Sequence, residues 1–592
     1  MIKNERTWLI AWATLQGFCL LMLHNLVVSL DKPGEWFVVT WPLYTLALVF
    51  PLSMQMLSAY RERIALWLLS GGYALLVAAC AAYAGKVGWV DGLSRTHVSG
   101  ATFLIGGIIF TSWFVLIPFA EHRLKLASWS RDYALLCSVA WRNVFKLASA
   151  GLFVGIFWIL LGLWAGLFKV LGVSFFVDLF TSRHFVYPVT AIAFGLGLSL
   201  YSAKEEALLG LYRATLNLLG WLLPLVSGII LLFLLFLLML PVKGVALLWK
   251  TGYATALMLS LQGLMVFLFN AAWQDGVHGI KFPGWIRKLV TLALLVLPVL
   301  SAFCVYSLWL RVEQYGWTAD RVWAAILIGL LAVYALGYAL SVLRLKAEWM
   351  QTASKVNIYA AWIVVLVLLL TATPVLDPAR ISVSSQLDKL LSKKVDVQSF
   401  DFEYLRFDGG LHGQRALKYL TELTGHPQAE DIQLKAKASL EAKHRTYGRR
   451  MHVERDREAW QRKLDVYPQG RSLTTDFVEF LWQLTEGDKF WINCLRNQQS
   501  CTVLLVDLNR DGQDEVVIFG GYGGNVFTRM DGKWQSVGFM RHRPGSGKGE
   551  AGVHRAPDDA STRRMIANGE FSVEDSDWRE LQVGEWRYGI QP

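Results

Sequence analysis

The sequence predicts a polytopic α-helical membrane protein of about eleven transmembrane helices, with a C-terminal soluble α+β domain. Three observations carry this. Of the 592 residues, 54% are hydrophobic and 17% charged, with 26 Trp and 32 Phe. Apolar stretches of eighteen or more residues recur, each long enough to cross a hydrocarbon layer roughly 30 Å thick as a helix. Charge is segregated: residues 1–376 hold 26 Lys+Arg and 14 Asp+Glu, whereas 377–592 hold 31 and 32. Only the second part has the charge density of a soluble domain. A soluble enzyme, a disordered chain and a small disulfide scaffold are excluded. The net charge of +11 resides in loops beside the membrane, which argues against a nucleic-acid partner.

The apolar stretches are 8–30, 36–57, 64–84, 98–120, 144–168, 185–203, 216–241, 251–273, 288–310, 322–343 and 357–376. Backbone groups facing lipid must be satisfied within the segment, so runs of this length are helices. The first lacks a small-residue cleavage site and is followed at once by another span, so it is read as an anchor and not a signal peptide. Three regions follow: a transmembrane bundle over 1–376, a mainly helical exported subdomain over 377–489, and a β-rich exported subdomain over 490–592.

Loop basicity sets the orientation. With the N-terminus in the cytoplasm, 17 Lys+Arg of the bundle fall in cytoplasmic loops and nine in the opposite ones. Eleven crossings then deliver the tail to the periplasmic side of a bacterial inner membrane. Losing the stretch at 185–203 or 251–273 reverses everything after it. Cys494 and Cys501 flank a polar, turn-like stretch in the tail and are read as a disulfide, which requires an oxidising compartment. Cys19, Cys80, Cys137 and Cys304 are scattered singly and read as packing residues.

Within the spans, Gly151, Gly155, Gly162 and Gly166 share one helix face and predict close helix packing. Pro118, Pro188, Pro224 and Pro241 are candidate kinks. His24, Asn25 and Gln262 are the notable polar residues inside spans, while Asp178, Arg183 and His184 fall near the outer interface. No Asp or Glu falls at a span centre, which counts against proton- or sodium-coupled transport. The loop 121–146, with Arg123, Lys125 and Arg131, is read as a basic contact with anionic lipid. No Walker loop, Gly-x-Ser-x-Gly or His-Glu-x-x-His motif occurs, so no catalytic constellation can be assembled.

In the tail, 411–424, 427–443 and 475–484 carry helical spacing, and 443–463 is a mixed-charge run. Thr502–Val506 and Val516–Phe519 are apolar runs of strand length flanking Asp507, Asn509, Asp511, Gly512, Gln513 and Glu515. Oxygen donors at positions one, three and five, Gly at six, a carbonyl at seven and an acid at nine suit calcium. Ile518 stands at position twelve, which excludes an EF-hand. The loop resembles the calcium loop of FG-GAP-type β repeats, in a single copy, and implies a structural ion.

Three further stretches carry a resemblance: Arg311-Val-Glu-Gln-Tyr315-Gly316-Trp-Thr-Ala-Asp-Arg321-Val322, Thr373-Pro-Val-Leu-Asp-Pro-Ala-Arg-Ile-Ser382 and Phe400-Asp-Phe-Glu-Tyr-Leu-Arg-Phe-Asp-Gly409. They resemble the bacterial membrane-protein family catalogued as domain of unknown function 4153. The resemblance implies an inner-membrane location and no established activity. Physically, Tyr315-Gly316 makes a turn, Arg311 and Arg321 reach headgroups or acids of the tail, and Arg380 anchors the last span. Two functions compete: a non-enzymatic envelope factor presenting a calcium-stabilised domain to a periplasmic protein or lipid partner, and a carrier or flippase for an amphipathic solute or lipid. The bilayer is a partner in either.

Overall fold

The computed structural model describes residues 2–31, 33–88, 95–127, 129, 132–202, 205–239, 254–274, 276, 279–344, 351–442, 461, 463–485, 492, 500–509, 511–519, 523–530, 532–541, 559–569, 581–583 and 586–588. The chain forms two compact units, Met1–Arg445 and Thr446–Pro592. This division differs from the charge boundary near 377, because the helices that follow the last span belong to the same unit as the spans.

In the first unit the helices are α1 (Ile2–Val28), α2 (Phe37–Met56), α3 (Ile64–Gly88), α4 (Arg95–Leu126), α5 (Tyr133–Val170), α6 (Phe175–Thr181), α7 (Arg183–Ser202), α8 (Glu205–Gly220), α9 (Leu223–Met239), α10 (Ala254–Trp273), α11 (Gly284–Tyr315), α12 (Ala319–Leu343) and α13 (Gln351–Thr371). Four shorter helices follow: α14 (Pro378–Leu391), α15 (Phe402–Phe407), α16 (Gly410–Thr421) and α17 (Ala429–Glu441). Among the described residues, ten segments are long and apolar enough to cross a membrane. The protein is therefore a multi-pass membrane protein.

Those ten match all the expected stretches except 185–203, which is α7. The reason lies in what surrounds α7. It runs antiparallel along α1: a Cβ on Gly195 would lie 2.5 Å from Ala13 Cβ, one on Gly17 would lie 2.7 Å from Pro188 Cα, and the rings of His24 and Tyr187 are 5.0 Å apart. It also runs antiparallel along α5, with Gly197 against Ala150 and Trp158 Nε1 donating to Thr190 Oγ1 at 3.1 Å. Protein on two sides selects small residues for close approach, where lipid would select large apolar ones. The short helix α6 closes the turn between α5 and α7 with an aromatic cluster, Phe168 to Phe176 at 4.7 Å and Phe180 to Phe185 at 5.1 Å.

Several expectations change. The glycines at 151, 155, 162 and 166 have no close neighbour among the described residues: a Cβ at any of them meets nothing within 4 Å there. Leu152, Ile159 and Leu163 beside them are exposed, so this face of α5 is turned outward. The loop expected over 121–146 is mostly helix, because α4 and α5 extend into it, and Arg142 Nη2 binds Glu121 Oε1 at 2.5 Å across the gap. Pro118 and Pro188 lie inside α4 and α7. Pro224 occupies the first turn of α9, where proline removes no helical hydrogen bond. Pro241 lies outside the described residues.

The two largest clusters of buried apolar residues in this unit lie among the long helices. One gathers Leu9, Met54, Val77 and Trp113 from the first helices. The other gathers Ile230, Phe269, Leu297 and Tyr338 from α9 to α12. A third, with Leu390, Leu405, Leu417 and Ile432, fills the helices after the last span.

The second unit holds a five-stranded sheet of order β1 (Leu464–Tyr467), β2 (Cys501–Val506), β3 (Glu515–Phe519), β4 (Gly523–Met530) and β5 (Lys533–Arg541). β1 pairs parallel to β2 and the other pairs are antiparallel. Alternation sorts the side chains. Val503, Val516 and Phe527 face Phe477 and Leu481 of α18 (Thr475–Thr485). Leu504, Val517 and Val526 on the reverse face meet Ile566 of α19 (Asp559–Ala567). β6 (Leu581–Val583) and β7 (Trp586–Tyr588) form a separate hairpin. β1 and α18 thus belong with the sheet and not with the helical segment before it. Most of the mixed-charge run at 443–463 lies outside the described residues.

Candidate functional site

The most elaborate polar construction outside the spans sits where the chain leaves the last of them. Asp377 follows α13 and caps α14: its Oδ1 accepts from Ala379 N at 2.9 Å and Arg380 N at 3.4 Å, with Pro378 at the first helical position. Aspartate as N-cap and proline at N1 are the residue types this geometry favours. The other oxygen, Oδ2, receives Tyr83 OH from α3 at 2.7 Å and His412 Nε2 from α16 at 3.0 Å. One buried carboxylate therefore joins three helices. Burial pushes its pKa up, but the bonds from His412 and Tyr83, the charge of His412 and the Ala379 N–H outweigh that and hold it below the ordinary carboxylate value.

A second set of contacts grips the turn between α11 and α12. Gly316 ends α11 at φ +78°, a left-handed conformation that favours glycine. Arg321 Nη1 donates to Gly316 O at 2.6 Å, and its guanidinium lies 5.4 Å from the Tyr315 ring centre. From α14, Gln386 Nε2 donates to Trp317 O at 2.7 Å, Ser385 Oγ accepts from Trp317 N at 3.2 Å and Lys389 Nζ donates to Glu313 O at 3.0 Å. Tyr404 of α15 completes it: its hydroxyl accepts from Ala319 N at 3.0 Å and shares a hydrogen bond with Ser382 Oγ at 2.6 Å. Burial raises the Tyr404 phenol above its ordinary value, against these two bonds. Gly410, at φ +53°, brings α16 so close to α3 that a Cβ there would lie 2.7 Å from Val87 O.

The helices after the last span thus form a collar on the ends of α3, α11 and α12. The three stretches that carried the sequence resemblance meet in it, and the Tyr404 hydroxyl touches residues of the other two. The chain belongs to the family described as "Domain of unknown function (DUF4153)", whose match covers residues 57–422. No curated protein and no solved structure matches it. The DUF4153 match ends one residue after α16, so it takes in the collar and leaves out the sheet unit. In this member, Arg321 is turned to its own loop, and Arg380 Nη1 anchors to Pro374 O at 2.8 Å. Arg311 is engaged as well.

The acidic loop lies outside the DUF4153 match and joins β2 to β3. Its side chains converge, largely on the loop's own donors. Asp507 Oδ2 accepts from Gly512 N at 3.0 Å, Asn509 Oδ1 from Asp511 N at 2.8 Å, and Asp511 Oδ1 from Gln513 N at 2.8 Å. Glu515 is buried; it accepts from Leu508 N at 2.7 Å, Asn509 Nδ2 at 2.9 Å and Thr528 Oγ1 at 2.8 Å. The donor types suit a hard cation, but in this arrangement the Asn509 amide bridges Glu515 and Asp511. Among the described residues no group of three or more His, Cys, Asp or Glu is placed to hold a metal. Cys501 opens β2, buried and disulfide-bonded, while Cys494 lies outside the described residues. The four bundle cysteines, Cys19, Cys80, Cys137 and Cys304, are thiols and not disulfides.

Sequence reasoning missed a polar cluster inside the bundle. Asn270 of α10 accepts from Tyr133 OH at 2.9 Å and from Asn357 Nδ2 at 2.6 Å, and donates to Tyr338 OH at 2.9 Å. Tyr338 OH in turn donates to Asn357 Oδ1 at 2.6 Å. Four helices are tied by this closed network. The two asparagines near span ends were the available signal, since amides rarely enter hydrocarbon alone. Gln262, which the sequence did single out, accepts from Ser301 Oγ at 2.6 Å and is likewise buried.

Proposed function

We propose that the protein is a non-enzymatic factor of the bacterial inner membrane that holds its sheet unit on the periplasmic side, there to bind or sense a protein or lipid partner. The observation that carries this reading is the position of the collar. It occupies the bundle end formed by the C-terminal ends of α3 and α11. The start of α3, with Arg63 bonded to Leu124 O, and the Glu121–Arg142 pair mark the other end. The basic loops cluster there, and basic loops stay in the cytoplasm. Because α7 lies along α1 from Ala13 to His24, it crosses the same depth and supplies the eleventh crossing. The disulfide-bonded state of Cys501 agrees with an oxidising side, and Cys494 is its proposed partner. A carrier needs polar groups open to a substrate, whereas Asn270, Tyr338, Asn357 and Gln262 bond one another and their neighbours.

The test is topological. Alkaline phosphatase fused after residue 592 is expected to be active and a fluorescent protein there dark. The tail thiols of intact cells should resist alkylation until reduced. A fluorescent fusion with freely alkylated Cys494 and Cys501 overturns the reading.

Calcium at Asp507, Asn509, Asp511, Gln513 and Glu515 is part of the proposal, supported by oxygen-bearing side chains at alternate positions of a glycine-containing loop. Binding would replace the bridging bonds of the Asn509 amide. Millimolar calcium is then expected to raise the unfolding temperature of the full-length protein, reversibly with chelator, and Asp507→Ala should abolish the shift. The absence of any shift in the unaltered protein would mean that the loop is closed by its own hydrogen bonds.

A further inference from the structure

The sheet unit contains a half-open cavity of about 450 Å³ beside the acidic loop. It lies where residues 471–474 lead into α18. Its apolar surfaces are Leu473, the cross-strand partners Leu505 and Val516, and the Trp534 ring. The volume falls within the roughly 300–1,000 Å³ of small-molecule sites.

Both guanidinium groups at this cavity are already paired, and its remaining carboxylates, Asp511 and Glu515, accept bonds from the acidic loop and from Thr528. Arg471 is paired with Asp514. Arg529 Nη2 binds Asp476 Oδ2 at 3.1 Å, and the same oxygen accepts from Trp534 Nε1 at 3.1 Å. A strongly anionic ligand would have to break one of these pairs and would face the carboxylates of Asp511 and Glu515. Neutral hydroxyls need not, because a paired guanidinium keeps further N–H donors and a paired carboxylate keeps lone pairs. Between the pairs, Ser472, Thr474, Gln513 and Thr528 add neutral donors and acceptors. A lining that combines an indole ring and aliphatic side chains with these polar groups suits a molecule that has an apolar C–H face and a hydroxylated edge.

We propose that this cavity binds a neutral polyhydroxylated ligand, a glycan unit of one or two pyranose rings. Trp534 and Leu505 lie against the C–H face, and the Arg471–Asp514 and Arg529–Asp476 pairs bond the hydroxyls. The site lies wholly within the sheet unit, so it stands whichever side of the membrane that unit occupies.

The test uses the full-length protein in lipid nanodiscs without glycosidic detergent, whose sugar headgroups would compete. Diacetylchitobiose and maltose serve as neutral probes, with glycylglycine and inositol hexakisphosphate as charged comparators. Saturation-transfer NMR and calorimetry read binding. At least one disaccharide is expected to bind in preference to both comparators. Trp534→Ala should weaken it about tenfold, while Trp534→Phe, which keeps a ring, should retain most of the affinity. Ser472→Trp, an exposed position whose enlargement fills the cavity, should abolish binding with an unchanged unfolding temperature. Failure of both disaccharides to bind, preference for a comparator, or binding that survives Ser472→Trp overturns the proposal.

Discussion

Asp377→Ala is expected to destabilise the first unit by about 3 kcal/mol, through loss of the α14 cap and of the buried acceptor for Tyr83 and His412. Heating the full-length protein in nanodiscs should show an earlier transition, and protease should cut sooner within 378–421. Asp377→Asn keeps a capping oxygen and should cost markedly less. The effect has a pH signature. The carboxyl is held below its ordinary value of 3.8, so its ionised form is favoured by folding. The stabilisation relative to Asn is fully present above that ordinary value and fades as pH falls through the depressed one. A difference between Asp and Asn that grew on acidification would contradict this account of the collar.

Asn270→Leu is expected to cost about 2 kcal/mol. Single hydrogen bonds between membrane helices average only about 0.6 kcal/mol, but here one side chain serves three others. Its loss leaves the Tyr133 and Tyr338 hydroxyls and the Asn357 amide each short of one hydrogen bond away from water, with Tyr338 still bonded to Asn357. Asn357→Leu should cost a similar amount, and the double variant less than the two together, because the partners stranded are shared. Strict additivity of the two, measured by thermal unfolding in nanodiscs, would show that the four side chains do not act as a unit.

The collar separates what was legible from what was not. Arg311, Tyr315, Gly316 and Arg321 were singled out from a local pattern; Tyr315 ends α11 and Gly316 caps it at φ +78°. That Tyr404 and Ser382 would close on that link was invisible, since 85 and 65 positions of chain separate them from Ala319 and Trp317, and a hydroxyl carries no periodic signal. The same limit hid Asp377, which opens α14 and reaches two other helices. The glycines of α5 are the opposite case. Their spacing shows that they share a face, but not whether protein or lipid lies against it. The helix α7 shows the converse, since its small residues lower its apolarity while they admit α1 and α5 to close contact.

From the sequence alone came the membrane class, the positions of the long apolar helices, the soluble tail, the acidic turn between two strands and the family. These depend on composition and short-range periodicity, which each segment carries by itself. Only the tertiary structure decided which polar groups meet: the carboxylate joining three helices, the asparagine–tyrosine network, the collar and the cavity over the sheet. Such groups are stable in apolar surroundings only when bonded, and their partners come from distant parts of the chain that folding alone brings together.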